Sequence, residues 1–150
     1  MRHHERGFTL IELLVVVAII GIIAAAAVTS LVNAVQRGRQ SRTMADMRTA
    51  ALAIEAYETD LSTFPQASGT LEDIAEYLQP TYIQKVPLHD GWNRPFLFEG
   101  TSKSYTLLSY GGNGVADVPY HEGATSRFRE DIVFVNGQFY QWPAGLQEGN

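Results

Sequence analysis

Apolar residues are concentrated in the first third of the chain, where they form one long block. From Leu13 to Gln36 there are 24 residues without a formal charge, and the centre of the block, Leu13–Val28, is rich in Val, Ile and Ala. A helix of that length reaches roughly 36 Å, which is enough to cross a hydrocarbon core of about 30 Å. The pattern therefore predicts a membrane-spanning helix near the N-terminus.

Beyond this block the apolar positions become periodic. They recur at spacings of three and four residues, at Met47, Ala50, Ile54, Tyr57 and Leu61. This spacing is typical of an amphipathic helix with one buried face. No proline occurs before Pro65, so we expect one long helix from about Phe8 to Asp60. Its first half spans the membrane or a filament core, and its second half, with Met44 and Met47 in the core, packs under a small domain.

Shorter elements follow the long helix. The sequence Thr63–Pro65 ends it, because proline cannot continue a helix. Thr70 then caps a short helix, Leu71–Leu78, with Asp73 three residues later in a capping-box position. Pro80 stops this helix.

The remainder of the chain has the pattern of β-strands. Four strands are predicted, at Phe96–Glu99, Tyr105–Tyr110, Ile132–Val135 and Gln138–Trp142. The last two flank Asn136-Gly137, a strong signal for a hairpin with a type I′ turn. Together these elements predict an α+β fold, in which the long helix packs against a small antiparallel sheet.

Charge is distributed unevenly along the chain, whose formal net charge is −5. Residues 30–50 carry four arginines and one aspartate, whereas residues 51–150 carry 5 basic and 13 acidic side chains. A basic collar beside an apolar block suits an anionic membrane surface. The acidic remainder argues against general nucleic-acid binding, which requires neutralisation of phosphates. The absence of cysteine excludes disulfides and thiolate chemistry.

The apolar block by itself allows three interpretations. It can be a plain membrane anchor, a secretory signal peptide cleaved after Ala24–Ala27, or a prepilin leader with its helix. The basic segment Met1–Arg6 favours a cytoplasmic N-terminus in each case. Glu12 distinguishes them, because a carboxylate facing hydrocarbon is costly and usually marks function.

The sequence around Glu12 resembles the class III signal of type IV pilins and pseudopilins. It reads Gly-Phe-Thr-Leu-Ile-Glu from Gly7, followed by a run of Leu, Val, Ala and Ile. The resemblance implies cleavage by a prepilin peptidase between Gly7 and Phe8, and N-methylation of the new Phe8 amine. It also implies that Glu12 pairs with the Phe8 amine of a neighbouring subunit, since two buried opposite charges offset each other's cost. The proline that many members carry next is absent from Ala27–Leu31.

A second resemblance lies in the C-terminal half. The segments Pro87–Phe96 and Ser104–Gly111 are similar to the Asp-Pro-Trp-Gly-x-Pro-Tyr and Tyr-x-Leu-x-Ser-Tyr-Gly patterns of the major pseudopilins of type II secretion. Two positions depart from the first pattern: Gly91 stands in place of the proline and Asn93 in place of the glycine.

In that family the loop after the second pattern binds calcium, and here it is Gly111–Asp131. Calcium takes six to eight hard oxygen ligands, which a flexible loop with carboxylates can supply. The resemblance places Asn113 and Asp131 at two ligand positions of the family, with Asn113 standing where the family has an aspartate. We expect Asp117 to supply the carboxylate that Asn113 lacks. The alternative is a solvated acidic loop without a metal.

These resemblances imply a domain organisation and a function. Residues 1–7 are a leader peptide, 8–36 a hydrophobic membrane or filament-core helix, and 37–150 a periplasmic globular domain with a pilin-like fold. The chain is then a structural subunit of a type II secretion pseudopilus, anchored in the inner membrane with its N-terminus cytoplasmic. Its partners are other copies, minor pseudopilins, the assembly platform with its ATPase, the prepilin peptidase and, before assembly, membrane lipid.

Two other functions remain open at this point. The chain can be a type IV pilin or competence pseudopilin, acting in adhesion, motility or DNA uptake. It can also be a soluble binding domain behind a cleaved signal peptide. An enzyme is not predicted, because the sequence has no nucleophile elbow, phosphate-binding loop, zinc-protease motif or dinucleotide fingerprint. His89 and His121 are isolated, and we interpret both as surface residues.

Overall fold

The computed structural model describes residues 7–147, so the first six residues of the predicted leader and the last three of the predicted globular domain lie outside the described residues. The chain divides into two compact units, Met1–Val35 and Gln36–Asn150. Helix α1, Leu10–Leu61, begins in the first unit and ends in the second. Its bounds confirm the long helix predicted from the sequence.

The described part of the first unit consists of Gly7–Thr9 and the N-terminal part of helix α1, from Leu10 to Val35. Every side chain from Gly7 to Val35 is exposed, and most of them are apolar. By length and composition, α1 is the one helix within residues 7–147 that can cross a membrane. An apolar surface of this extent is typical of a segment covered by lipid or by other helices.

The second unit is built on the C-terminal part of α1. Met47, Ala50 and Ile54 are fully buried, and Tyr57 is partly buried against the same core. Leu61, the last residue of α1, is 54% exposed, so the prediction of a buried Leu61 is wrong. The amphipathic stripe ends one turn early because the chain leaves the helix at the next residue. Beyond α1, the core comes from the sheet, a short helix and the segment between that helix and β2, through Leu71, Ile74, Leu78, Val86, Phe96, Phe98, Tyr105, Leu107, Ile132 and Phe134.

The predicted short helix is present at Leu71–Leu78, in two parts. A 3-10 turn, Leu71–Ile74, continues directly into α2, Ala75–Leu78. The Asp73 carboxylate accepts hydrogen bonds from the Thr70 backbone N–H at 2.6 Å and from the Thr70 hydroxyl at 3.1 Å. This is the predicted cap, which holds the helix start beside the first strand.

The sheet has six strands. They are β1 (Ser68–Thr70), β2 (Leu97–Gly100), β3 (Tyr105–Ser109), β4 (Gly123–Thr125), β5 (Ile132–Val135) and β6 (Gln138–Pro143). Their order is β1-β2-β3-β5-β6-β4, and all neighbours are antiparallel except β4 and β6. The α+β fold is thus confirmed, but the sheet is mixed rather than wholly antiparallel. Strands β1 and β4 were not predicted because three small or polar residues show no apolar alternation.

The β5–β6 turn is joined to α1 by a chain of hydrogen bonds. Asn136 and Gly137 have φ angles of 45° and 86°, as the predicted type I′ turn requires. The Gly137 N–H donates to the Tyr105 hydroxyl at 3.1 Å, and that hydroxyl donates to Glu55 Oε1 at 2.7 Å. Burial, followed by the Glu55 carboxylate, raises the pKa of Tyr105. The phenol therefore stays protonated and keeps the helix and the hairpin together.

The loop before β2 is organised by one buried carboxylate. Asp90 Oδ1 accepts the N–H groups of Trp92 and Arg94, both at 2.9 Å, and Oδ2 accepts the Ser109 hydroxyl at 2.7 Å. Three hydrogen bonds to one charge are a strong local restraint. Asp90 thereby fixes the positions of Trp92 and Arg94 relative to strand β3.

The same loop lies directly against helix α1, which explains why Gly91 stands where the family has a proline. The Gly91 N–H donates to Thr43 Oγ1 at 2.9 Å, and a Cβ atom at Gly91 would lie 2.2 Å from the Arg39 carbonyl oxygen. Neither proline nor any other side chain fits there. Asn93 has a φ of 64°, a left-handed conformation that asparagine tolerates better than most residues.

Candidate functional site

The predicted assembly residue Glu12 lies in the first turn of α1, where it forms a capping box with Thr9. Glu12 Oε2 accepts the Thr9 backbone N–H at 2.8 Å and the Thr9 hydroxyl at 2.7 Å. In return, the Glu12 N–H donates to Thr9 Oγ1 at 3.3 Å. Reciprocal bonds of this kind satisfy donors that a helix start leaves unpaired, and the negative charge suits the N-terminal end of the helix dipole.

The predicted processing residues lie just ahead of this cap. Gly7 and Phe8 precede the helix start at Leu10, and the Phe8 side chain is 79% exposed. Among the described residues, the hydrogen bonds of the Glu12 carboxylate go to Oε2 and come from Thr9. Oε1 therefore has room for a donor from outside the chain. The motif Thr-x-x-Glu was visible in the sequence, but Thr9 was not among the predicted site residues.

The acidic loop is anchored by a second buried carboxylate, that of Asp131. Its Oδ2 atom accepts the Asp117 backbone N–H at 3.0 Å. Its Oδ1 atom is buried and has no hydrogen-bond partner within residues 7–147. A buried charged oxygen without a partner is costly. The loop holds one other buried oxygen without a partner among residues 7–147, Thr125 Oγ1, but Asp131 Oδ1 is the one that belongs to a carboxylate, so a cation there would remove the larger penalty.

The electrostatics of the loop show the same penalty. Burial raises the pKa of the Asp131 carboxyl to about 6, and the negative charge of Asp117 adds to this rise. The N–H of Asp117 and the nearby Tyr120 hydroxyl oppose the rise by donating toward the carboxylate. Burial, and then the charge of Asp131, raises the pKa of the nearby Tyr120 hydroxyl to about 12. Two carboxylates and a phenol therefore lie close enough to influence one another. Tyr120 was missed in the sequence because nothing in the local pattern links it to Asp131.

Asn113, the third predicted ligand, lies in a different setting. Its Oδ1 atom accepts the Val115 N–H at 3.0 Å, which closes a local turn. Its side chain lines a cavity together with Arg94 and Arg129, where positive charge disfavours a metal cation. The structure thus brings Asp117 and Asp131 together and gives Asn113 other neighbours.

Gln141, which the sequence did not single out, holds the two sides of the acidic loop. This buried side chain donates from Nε2 to the Asp131 carbonyl at 2.9 Å, and its Oε1 accepts the His121 N–H at 2.9 Å. Strand β6 thereby fixes both Asp131 and the segment that follows Asp117. A glutamine in an alternating strand carries no signal that would reveal this function.

The chemistry of these residues fits calcium. Asp117 and Asp131 supply two hard, negatively charged donors, and Asp131 Oδ1 is an unsatisfied buried oxygen. Across residues 7–147 no group of three or more carboxylate or imidazole side chains is close enough to hold a metal. Calcium at this position would therefore take its remaining ligands from backbone carbonyls and water, as this ion readily does.

Comparison with known proteins gives two matches to protein families. The family described as the prokaryotic N-terminal methylation motif matches residues 2–28. The family described as type II secretion system protein G matches residues 30–123. Together they cover both the apolar helix and most of the second unit.

Individual proteins named type II secretion system core protein G are also similar to this chain. The Pseudomonas aeruginosa protein is 31% identical over 127 residues, which cover 75% of this chain and 87% of that protein. The Escherichia coli K12 protein is 29% identical, with 73% and 83% covered. The Vibrio cholerae protein is 29% identical, with 76% and 77% covered. No solved structure matches the chain significantly.

The raised pKa of Asp131 predicts how stability depends on pH without metal. Between its usual pKa of 3.8 and the folded value of about 6, the folded chain holds a proton that the unfolded chain has released. This contribution to stability is complete below pH 3.8 and is lost as the pH rises through about 6. In chelator, the melting temperature of Asp131→Asn minus that of the wild type should therefore increase as the pH rises from about 4 to above 6.

Thermal melts of the detergent-solubilised full-length chain, followed by circular dichroism at several pH values, measure this difference. A matched variant, Glu99→Gln, removes an exposed carboxylate on β2 and controls for the loss of one negative charge. A constant difference for Asp131→Asn would mean that the Asp131 carboxyl is not the group responsible.

Proposed function

Because the chain belongs to the type II secretion system protein G family, we propose that it is the major structural subunit of a secretion pseudopilus. The family match over most of the second unit carries this proposal, and the methylation motif over the apolar helix supports it. The subunit is a membrane-anchored pseudopilin that waits in the inner membrane with its N-terminus in the cytoplasm. Its second unit faces the periplasm.

Assembly depends on the exposed apolar surface of α1. In the membrane this surface is covered by lipid, and in a filament it is covered by the same helix of other copies, so subunits can move from one environment to the other without exposing it to water. The assembly platform and its ATPase supply the work. Minor pseudopilins join the same filament, whose growth moves secreted proteins outward across the outer membrane.

Processing prepares the helix for this assembly. A prepilin peptidase cuts between Gly7 and Phe8, and the new Phe8 amine is methylated. The amine pairs with the Glu12 carboxylate of a neighbouring copy. Among residues 7–147, Thr9 bonds to Glu12 Oε2 and leaves Oε1 without a donor, which supports this pairing.

Calcium completes the second unit in this proposal. Asp117 and Asp131 hold the ion, which neutralises the two carboxylates and gives the buried Asp131 Oδ1 a partner. Bound calcium would hold the loop Gly111–Asp131 in one conformation. Gln141 orients the Asp131 backbone for calcium binding through its hydrogen bond to the Asp131 carbonyl.

The mature N-terminus gives the most direct test of processing. Mass spectrometry of the protein isolated from membranes should find a chain that begins with N-methylated Phe8. A matched variant, Gly7→Val, should leave the leader attached, because a branched side chain replaces the small residue at the cleaved bond. A mature chain that begins near Val28 would instead identify a secretory signal peptide, and an unprocessed chain would identify a plain anchor.

The function of Glu12 can be tested by secretion. Glu12→Val should still insert in the membrane, because it makes the helix more apolar. It should reduce both filament formation and secretion, because the Phe8 amine loses its partner. The measurements are secreted protein in the culture medium and filaments by electron microscopy, in a strain whose own gene is deleted.

The matched control for this test is Thr9→Val, which removes the hydroxyl from the capping box and keeps the carboxylate. It should assemble much better than Glu12→Val. Normal filaments from Glu12→Val would contradict the pairing. Normal secretion in the deletion strain, together with loss of long surface filaments, would indicate a type IV pilus instead.

The calcium site predicts a metal-dependent stability. Calcium should raise the melting temperature of the full-length chain in detergent relative to chelator. At a hundredfold excess over the dissociation constant, the free energy of unfolding should increase by about 2.7 kcal/mol. Asp131→Asn and Asp117→Asn should each lose most of this response, because each removes a charged ligand. Magnesium should substitute poorly, since it requires a compact octahedral site and releases water reluctantly.

Two further variants complete this experiment. Glu99→Gln removes an exposed charge on β2, outside the loop, and should leave the calcium response unchanged. Asn113→Asp should strengthen the response if the Asn113 side chain binds the ion, and should change little if it does not. Identical melting curves in calcium and chelator for the wild type would exclude the site.

A further inference from the structure

A cavity of about 520 Å³ in the second unit is lined by positively charged side chains. It is lined by Gln36, Arg39, Trp92, Arg94, Gly112, Asn113 and Arg129. Three of these seven residues are arginines, and none is acidic. This composition contrasts with residues 51–150 as a whole, where 13 acidic side chains outnumber 5 basic ones.

None of the three arginines forms an ion pair with a carboxylate of the described residues. Within residues 7–147 the one ion pair joins Arg42 to Asp46, at 3.4 Å. Arg39, Arg94 and Arg129 therefore bring like charges to one cavity, which is unfavourable unless an anion enters it. A negatively charged group inside the cavity would offset the repulsion among the three arginines.

The cavity is also held in shape. The Arg94 guanidinium donates to the carbonyl oxygens of Gly111 and Gly112, the latter at 3.1 Å. Trp92 Nε1 donates to Gln36 Oε1 at 2.7 Å. Because these bonds fix the aromatic wall and one guanidinium before any ligand binds, little entropy is lost on binding.

The position of the cavity in the chain indicates where its anion comes from. Gln36 directly follows Val35, the last residue of the apolar unit, and it ends the uncharged stretch that begins at Leu13. A residue at the end of a membrane-spanning stretch lies at the level of the lipid headgroups. Phosphate groups are the most abundant anions at that level.

Another copy of the chain is a weaker source of the anion. In residues 7–50 the acidic side chains are Glu12 and Asp46, whereas Arg37, Arg39, Arg42 and Arg48 are basic. Copies side by side in one membrane would therefore present mainly arginines to each other at this level. Like charges repel, and lipid phosphates between the copies would relieve that repulsion.

We propose that this cavity, which we call the arginine cavity, binds the phosphate of an anionic phospholipid through Arg39, Arg94 and Arg129. The proposal rests on the membrane anchoring in the proposed function and adds a defined lipid site to it. The bound headgroup would hold the second unit at the bilayer surface. Entry into the filament would then require release of this lipid.

The test uses the full-length chain with Trp142→Phe, solubilised in dodecyl maltoside, so that Trp92 is the single tryptophan and reports on the cavity. Titration with phosphatidylglycerol should give a saturable change in Trp92 fluorescence, at lower concentrations than phosphatidylcholine requires. Arg39→Gln and Arg129→Gln should each weaken the phosphatidylglycerol affinity by about fivefold. Arg94 is left unchanged because its guanidinium also holds the loop backbone.

Two matched variants separate the cavity from general positive charge. Arg37→Gln and Arg127→Gln each remove an exposed arginine two residues from a cavity arginine, without lining the cavity. Both should bind phosphatidylglycerol as tightly as the parent chain. Equal weakening by all four variants would overturn the proposal, because it would show attraction to diffuse charge only.

The other sources of the anion give different results. Inorganic phosphate that acts at the same concentration as phosphatidylglycerol would overturn the lipid assignment in favour of free phosphate. The chain could instead self-associate in lipid-free micelles, in a way that requires Arg39 and Arg129, and show no response to phosphatidylglycerol. That result would overturn the lipid assignment in favour of a carboxylate from another copy.

Secretion by the same variants distinguishes this proposal from the proposed function. A parent chain that binds phosphatidylglycerol through the arginine cavity but cannot restore secretion to a deletion strain would contradict the pseudopilus function and support the lipid site. A parent chain that restores secretion but shows no saturable lipid response would overturn the lipid site alone.

Discussion

Exposure of the apolar stretch Gly7–Val35 is the constraint on which the rest of the molecule depends. A helix with this surface cannot remain in water as a single copy, so it is always covered either by lipid or by other helices. The second unit must therefore fold around its own core. It does so by using the later turns of the same helix, where Met47, Ala50 and Ile54 are buried.

Two buried aspartates show how the second unit divides stability and binding between its loops. Asp90 accepts three hydrogen bonds, so its charge is satisfied by the protein itself and fixes one loop. Asp131 accepts one N–H on Oδ2 and leaves Oδ1 without a partner among the described residues. The same side chain thus serves as a structural anchor in one loop and as a site suited to a cation in the other.

The sequence predicted the features that are encoded locally. The long helix, the capped short helix and the Asn136-Gly137 turn all depend on neighbouring residues, and all are confirmed. Strand β4 was missed because its pairing with β6 is distant in sequence and its three residues have no pattern. The arginine cavity was equally invisible, because Arg39 and Arg129 lie 90 positions apart and only the folded chain brings them together. Asp131 was predicted as a ligand through the family resemblance and Asp117 as its companion in the same loop. Asp90 was missed because sequence does not distinguish a buried carboxylate from a solvated one.

The edges of the sheet have a consequence for a protein that is concentrated in a membrane and a filament. Both edge strands, β1 and β4, are only three residues long, so each presents few unpaired backbone groups. Exposed strand edges are templates for uncontrolled pairing between chains, and short edges limit that pairing. Crowded copies are thereby protected from amyloid-like stacking, and ordered contact between them is left to side chains.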